Sequence, residues 1–241
     1  MIKLLKSLLP FSFLLSGLFI SSLAQAQSTA EERNEVVKFG IGLRLVATSD
    51  LLSTGPVETL DRGVLFSYEP RLSRGIDAII RFKLKNRFSL QTGITSIRRS
   101  YNFGMSTDSL QFSGSIVQTG FQMPFTGILE VPIAENSKVG LEGGIVSEMI
   151  PGTVASGQQE SYLAVIEPFK GNRFKLAFRA SAFLNFSLDN GGKVETGFSY
   201  VRMIRPVGTL YMDYDPGTQV ITNRKDLQGH FFTYNISFFF P

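Results

Sequence analysis

Residues 173–188 read RFKLAFRASAFLNFSL, and every second side chain is apolar. Phe174, Leu176, Phe178, Ala180, Ala182, Leu184, Phe186 and Leu188 share one face. Arg173, Lys175, Ala177, Arg179, Ser181, Phe183, Asn185 and Ser187 share the other. A strand turns successive side chains to opposite sides, so this pattern predicts a strand with a different solvent on each face. Asp189-Asn190-Gly191-Gly192 follows and supplies the backbone freedom of a tight hairpin turn. The alternation then resumes, with Val194, Thr196, Phe198 and Tyr200 opposed to Lys193, Glu195, Gly197 and Ser199.

Working outward, the same period recurs along the chain. Val37, Phe39, Ile41, Leu43, Leu45 and Ala47 alternate with Lys38, Gly40, Gly42, Arg44, Val46 and Thr48. Ile76, Ala78, Ile80, Phe82 and Leu84 alternate with Asp77, Ile79, Arg81 and Lys83, and a polar turn at Lys85-Asn86-Arg87 leads to Phe88, Leu90, Thr92 and Ile94. That third segment loses parity near Arg98-Arg99, where a bulge is expected to return Tyr101 and Phe103 to the apolar face. A fourth segment spans about Ser115 to Val131 and contains Pro124, whose missing N–H needs a tolerant position. Residues 138–148 make the fifth, and the last sets His230, Phe232, Tyr234, Ile236, Phe238 and Phe240 against Thr233, Asn235 and Ser237. Eight strands are expected, with the segment at 174–188 the longest.

The connections alternate between long, about 15 to 27 residues, and short, about one to six, the rhythm of antiparallel outer-membrane barrels. Short turns at Asn86, Glu135 and Asn190 then lie at one end with both termini, and loops near Gly55, Ser109, Gly157 and Pro216 at the other. Export is expected from the N-terminus. Lys3 and Lys6 precede an apolar run from Leu8 to Leu23, and Ala24-Gln25-Ala26 has the small-x-small cleavage pattern. The expected organisation is a signal peptide over 1–26, a short periplasmic segment over 27–35 and a β-barrel domain over 36–241.

Composition narrows the classes. The 241 residues contain no Cys, which excludes a disulfide scaffold and an acylated lipoprotein cysteine. Without Lys3 and Lys6, 22 basic residues face 20 acidic ones, so the charge gives no ground for a nucleic-acid partner. After the leader no apolar run is long enough for a helical span, which leaves strands as the means of insertion.

Alternation does not say which face meets lipid. The polar face mixes charges with Gly40, Gly42, Gly93, Gly120, Gly140, Gly144 and Gly197, as a cramped lumen requires, and the apolar face carries more bulk than a narrow interior can hold. The apolar face is therefore expected outside. Charges enclosed in a narrow lumen must pair, because an unpaired buried charge costs several kcal/mol. The expected network comprises Arg44, Asp77, Arg81, Glu142, Arg179 and Glu195, with Arg44 paired to Asp77, and Arg81 or Arg179 to Glu142. Phe39, Phe82, Phe88, Phe186, Phe238 and Phe240 are expected to form an aromatic girdle at the end carrying the short turns.

The leader, the eight-strand rhythm and the aromatic C-terminus resemble the small outer-membrane β-barrel family of OmpA/OmpX-like and PorT-like kind, over essentially the whole mature chain. The resemblance implies an all-β fold, an eight-stranded antiparallel up-and-down transmembrane β-barrel. It also implies a C-terminal insertion signal at Thr233, Asn235, Phe238 and Phe240, read by the barrel-assembly machinery. Asn235 stands where the family has glycine, and Pro241 follows the aromatic that is normally last.

Catalytic chemistry is poorly provided for. His230 is the sole histidine and Phe232 occupies the place of the serine in a His-x-Ser arrangement, although Asp108-Ser109 lies in another outer loop. Asp213 and Asp215 lack the spacing of a Ca²⁺ loop, and Asp215-Pro216-Gly217-Thr218 reads as the turn of a hairpin extending the last two strands. No catalytic, cofactor or metal site is expected. Arg98-Arg99, Arg173, Arg202 and Arg205 are candidates to meet anionic lipopolysaccharide. The expected function is a non-enzymatic integral outer-membrane protein with a structural or loop-mediated role toward envelope partners. The alternatives are an exported lipocalin-like barrel binding an apolar ligand, and an outer-membrane lipid hydrolase.

Overall fold

The computed structural model describes residues 37–48, 57–85, 87–159 and 162–241. The leader expected over 1–26, the segment expected over 27–35, Asn86 and the loop around Gly55 lie outside the described residues. Among the described residues no helix is long and apolar enough to cross a membrane, and the helical content is one 3-10 turn at Phe169–Gly171.

The fold is all-β and antiparallel, with thirteen strands among the described residues where the sequence predicts eight. They are β1 (Val37–Thr48), β2 (Val57–Asp61), β3 (Val64–Lys85), β4 (Phe88–Ser106), β5 (Gln111–Ala134), β6 (Ser137–Met149), β7 (Val154–Gln159), β8 (Tyr162–Pro168), β9 (Phe174–Ser187), β10 (Lys193–Met203), β11 (Gly208–Tyr214), β12 (Ile221–Leu227) and β13 (Phe231–Phe239). The longest is β5, not the segment containing Phe178. Eight of them pair in a cycle that follows chain order, β1-β3-β4-β5-β6-β9-β10-β13, and returns to β1. The other five come from the long connections. β2 folds back on β3 through Arg62 and Gly63, both at positive φ as a two-residue hairpin turn demands. A second sheet of order β12-β11-β8-β7 takes up the rest. The hairpin expected at Asp215-Pro216-Gly217 is therefore present, but as β11 and β12 of that second sheet rather than as a continuation of β10 and β13. Short apolar strands embedded in loops have no two-solvent alternation to announce them.

Around the ring the two faces differ as the period-two pattern requires. Leu43, Ile76, Phe125, Phe178 and Phe198 are exposed on the outer face, Leu43 at 66% and Phe198 at 68%. Arg44, Asp77, Thr126, Arg179 and Ser199, their alternating neighbours, are buried inside. Space within is made by glycine. Phe183 on β9 lies level with Gly140 on β6 and Gly197 on β10, and its ring occupies the volume that a Cβ at Gly140 would enter. Pro124 on β5 is accommodated where the β4–β5 ladder is interrupted, between the pairs Gln91/Thr126 and Thr95/Gln122, beside Gly93 at φ 151°.

The interior is not uniform. Toward the long loops it turns apolar, with Phe66, Tyr68, Ile97, Tyr101, Phe103, Ile116, Val146, Val201 and Phe231 of the ring forming one cluster with Ala164, Ile166, Leu210, Met212 and Leu227 of the second sheet. Tyr101 and Phe103 thus point inward, against expectation. No bulge forms at Arg98-Arg99; the register shift lies across the ladder on β3, between Arg71 and Arg74. The apparent loss of parity on β4 is instead a change in the chemistry of the inward face.

Candidate functional site

The ring interior toward the short turns holds buried polar and charged side chains that bond one another across the strands. Arg44 Nε on β1 donates to the Asp77 carboxylate on β3, whose other oxygen accepts from Thr95 Oγ1 at 2.5 Å. Arg179 Nη2 on β9 lies 3.1 Å from Glu142 Oε2 on β6. Glu142 Oε1 accepts from Thr126 Oγ1 at 2.7 Å and Gln91 Nε2 at 3.2 Å. Arg81 does not bond Glu142. It donates to Glu195 at 2.8 Å, to Glu130 at 3.3 Å and to Gln91 Oε1 at 2.6 Å, so Gln91 joins the two centres. The Arg81 guanidinium also sits over the rings of Phe239 and Phe183, 4.4 and 5.4 Å from their centroids. The structure places the six expected residues in three ion pairs, Arg44–Asp77, Arg179–Glu142 and Arg81–Glu195, with Glu130 as a second carboxylate on Arg81.

One pair was missed. Arg99 on β4 donates twice to Glu148 on β6, at 2.6 and 2.8 Å, in the apolar half of the interior. The sequence offers Arg98 and Arg99 together as candidates to meet lipopolysaccharide, but neighbours on a strand point to opposite faces, and only Arg98 is exposed. Strict counting from Ile97 would have found it.

The two ends of the interior differ. At the short-turn end a cavity of about 240 Å³ opens, lined by Lys38, Lys83, Lys138 and Lys193, with Arg81 and Glu130 deeper in. Toward the other end the passage meets the apolar cluster and the second sheet. Such an interior is filled by side chains, as eight-stranded rings generally are.

The chain matches no family model and no curated protein. Among solved structures it is similar to the translocator domain of the autotransporter NalP from Neisseria meningitidis, at 12% identity and a TM-score of 0.36, covering 98% of this chain and 97% of that one. It is also similar to the beta domain of the Bordetella autotransporter Brka, at 7% identity, TM-score 0.33, 86% of this chain and 98% of that one. A third is the transport unit of the autotransporter AIDA-I from Escherichia coli, at 8% identity, TM-score 0.33, 90% and 93%.

The remaining candidates are placed as follows. His230 precedes β13 and its Nδ1 accepts the Met203 N–H at 3.0 Å, a backbone tether between β10 and β13. Asp215 Oδ1 accepts the Gly217 N–H at 2.8 Å, which assigns that carboxylate to its own turn. Among the described residues no group of three or more His, Asp or Glu is arranged to hold a metal. In β13, Thr233 is buried, Asn235 donates to Ser199 Oγ at 2.6 Å, and Phe238 meets Phe240, just past the strand, edge to face at 5.3 Å. Phe39, Phe82, Phe88, Phe186 and Phe240 are exposed at the short-turn end. Arg173, Arg202 and Arg205 are exposed.

Proposed function

We propose that this chain is an integral outer-membrane protein, an eight-stranded transmembrane β-barrel that conducts no solute and has no catalytic activity. Its role is structural, or is exerted through the β7–β8 and β11–β12 hairpins on envelope partners. The observation that carries this reading is the inversion of the ring: Leu43, Phe125, Phe178 and Phe198 outside, Arg44, Asp77, Glu142 and Arg179 inside. An exposed apolar belt of this extent is far larger than a water-soluble monomer tolerates. A closed ladder leaves no unpaired edge in hydrocarbon, which is the condition for a strand-built protein to span it.

A soluble lipocalin-like carrier is disfavoured, because such a protein keeps its charges outside and its apolar cavity within. A hydrolase is disfavoured by His230, whose Nδ1 is engaged by backbone. In this reading the termini and short turns face the periplasm, Thr233, Asn235, Phe238 and Phe240 engage the assembly machinery, and export proceeds through a cleaved leader. The test is fractionation. Recovery in carbonate-washed outer membrane, with heat-modifiable mobility in detergent gels, is expected; a monomer soluble without detergent would overturn the proposal.

A further inference from the structure

On the outer face of the ring two arginines stand side by side. Arg74 on β3 and Arg98 on β4 are direct cross-strand partners, and both are exposed. The placement is produced by the register shift between Arg71 and Arg74. Before it the buried positions of β3 are Val64, Phe66, Tyr68 and Pro70; after it they are Ser73, Gly75, Asp77, Ile79 and Arg81. One added residue changes the parity and turns Arg74 outward, the way bulges re-aim side chains. Like charges directly opposed across a ladder are destabilising, and among the described residues neither arginine has a carboxylate partner.

The surroundings say what anion fits. Both arginines line an outer groove of about 610 Å³ whose walls are Leu43, Leu45, Ile76, Tyr234 and Ile236. It adjoins a second recess of about 400 Å³, lined by the same arginines with Leu72 and Val117. A free inorganic anion has no use for apolar walls; an acyl lipid with an anionic head does. Height agrees. From Leu84 to Arg74, about ten steps of ~3.4 Å on a strand tilted by ~40° rise about 26 Å, close to the ~25 Å apolar band of outer-membrane barrels. The pair therefore stands where hydrocarbon gives way to headgroups on the side of the long loops.

We propose that Arg74 and Arg98 together clamp the phosphate of an outer-leaflet lipid whose acyl chain lies along Leu43, Leu45 and Ile76. The inference rests on the membrane reading above. Guanidinium groups suit this, since each presents a planar fork to phosphate oxygens.

The test uses the full mature chain in an uncharged detergent, with native mass spectrometry reading the bound lipid. Diphosphoryl lipid A is expected to bind the wild type. The double variant Arg74→Gln/Arg98→Gln is expected to bind about tenfold or more weakly. Arg224→Gln, exposed on β12 and outside the groove, is expected to bind as wild type, and Arg74→Lys/Arg98→Lys to fall between. Dephosphorylated lipid A is expected to bind all forms weakly. Wild-type binding by the double glutamine variant, or equal binding of the dephosphorylated lipid, would overturn the clamp. Displacement of lipid A by millimolar inorganic phosphate would overturn a lipid as the occupant. Heat-modifiable mobility verifies folding of each variant, and the lysine pair keeps the test decisive if the glutamine pair misfolds. Failure of the membrane reading would show separately, as solubility without detergent.

Discussion

Arg99 on β4 and Glu148 on β6 clasp one another across the intervening strand β5, through two hydrogen bonds of 2.6 and 2.8 Å, and neither side chain is exposed to any extent. The residue beneath them on β5 is Gly120, where an added Cβ would fall 2.4 Å from Glu148 Oε1 and 3.2 Å from Arg99 Nη1. The Phe231 ring lies 5.2 Å from the Arg99 guanidinium. The pair thus ties three strands together where the interior changes from polar to apolar.

Removing one partner leaves a buried charge uncompensated. Arg99→Met is expected to lower stability by about 3 to 5 kcal/mol, and Arg99→Met with Glu148→Met to recover most of it. Guanidinium unfolding of the detergent-refolded protein measures both; a single variant as stable as wild type would contradict the pairing.

Gly120 has no room for a side chain. Gly120→Val is expected to cost about 1 to 3 kcal/mol by forcing the ion pair apart, whereas Gly152→Ala, in open space outside the strands, is expected to change stability little. Comparing their unfolding midpoints separates a local clash from a general intolerance of glycine replacement.

With the interior filled, planar bilayers containing the purified chain are expected to show no discrete conductance steps. Reproducible steps that vanish with the protein would refute a closed lumen, and with it the non-conducting part of the functional proposal.

Gly217 lies at φ 85° in the turn between β11 and β12, among exposed residues. A peptide tag inserted after Gly217 is expected to be reachable by antibody on intact cells without loss of heat-modifiable mobility. Labelling only after the envelope is permeabilised would reverse the orientation.

Phe238→Ala with Phe240→Ala is expected to reduce the folded fraction in cells several-fold while leaving refolding in detergent micelles nearly unchanged. Equal losses in both settings would make these aromatics ordinary strand-end packing and not a recognition signal.

The ring strands were legible because their two faces meet unlike surroundings. Wherever Leu43 alternates with Arg44, or Phe178 with Arg179, the period is plain and so is the pairing of Arg44 with Asp77. Legibility fails where the interior is itself apolar. Ile97, Tyr101 and Phe103 look as if they belong outside, and the resulting slip in counting hid the inward aim of Arg99. In the second sheet the β11–β12 hairpin is announced by its turn, whereas β8 is not, because Ala164 and Ile166 bury against the ring and alternate with the equally apolar Leu163 and Val165. The bond from Arg81 to Glu130 on β5 is not legible, since alternation sorts side chains to a face but does not fix which of them meet across the lumen. The Arg74–Arg98 pair depends on the β3 bulge, which the sequence does not mark.

Phe183, seated between Gly140 and Gly197, settles a question that inside-outside polarity leaves open. Sliding a strand by two positions keeps every side chain on the face it already occupies, so solvent preference cannot reject it. Such a slide would drive the Phe183 ring onto Lys138 or Glu142 on one side and Glu195 or Ser199 on the other. The benzyl group and its two vacant neighbours thus act as a key in its wards, admitting one alignment of three consecutive staves.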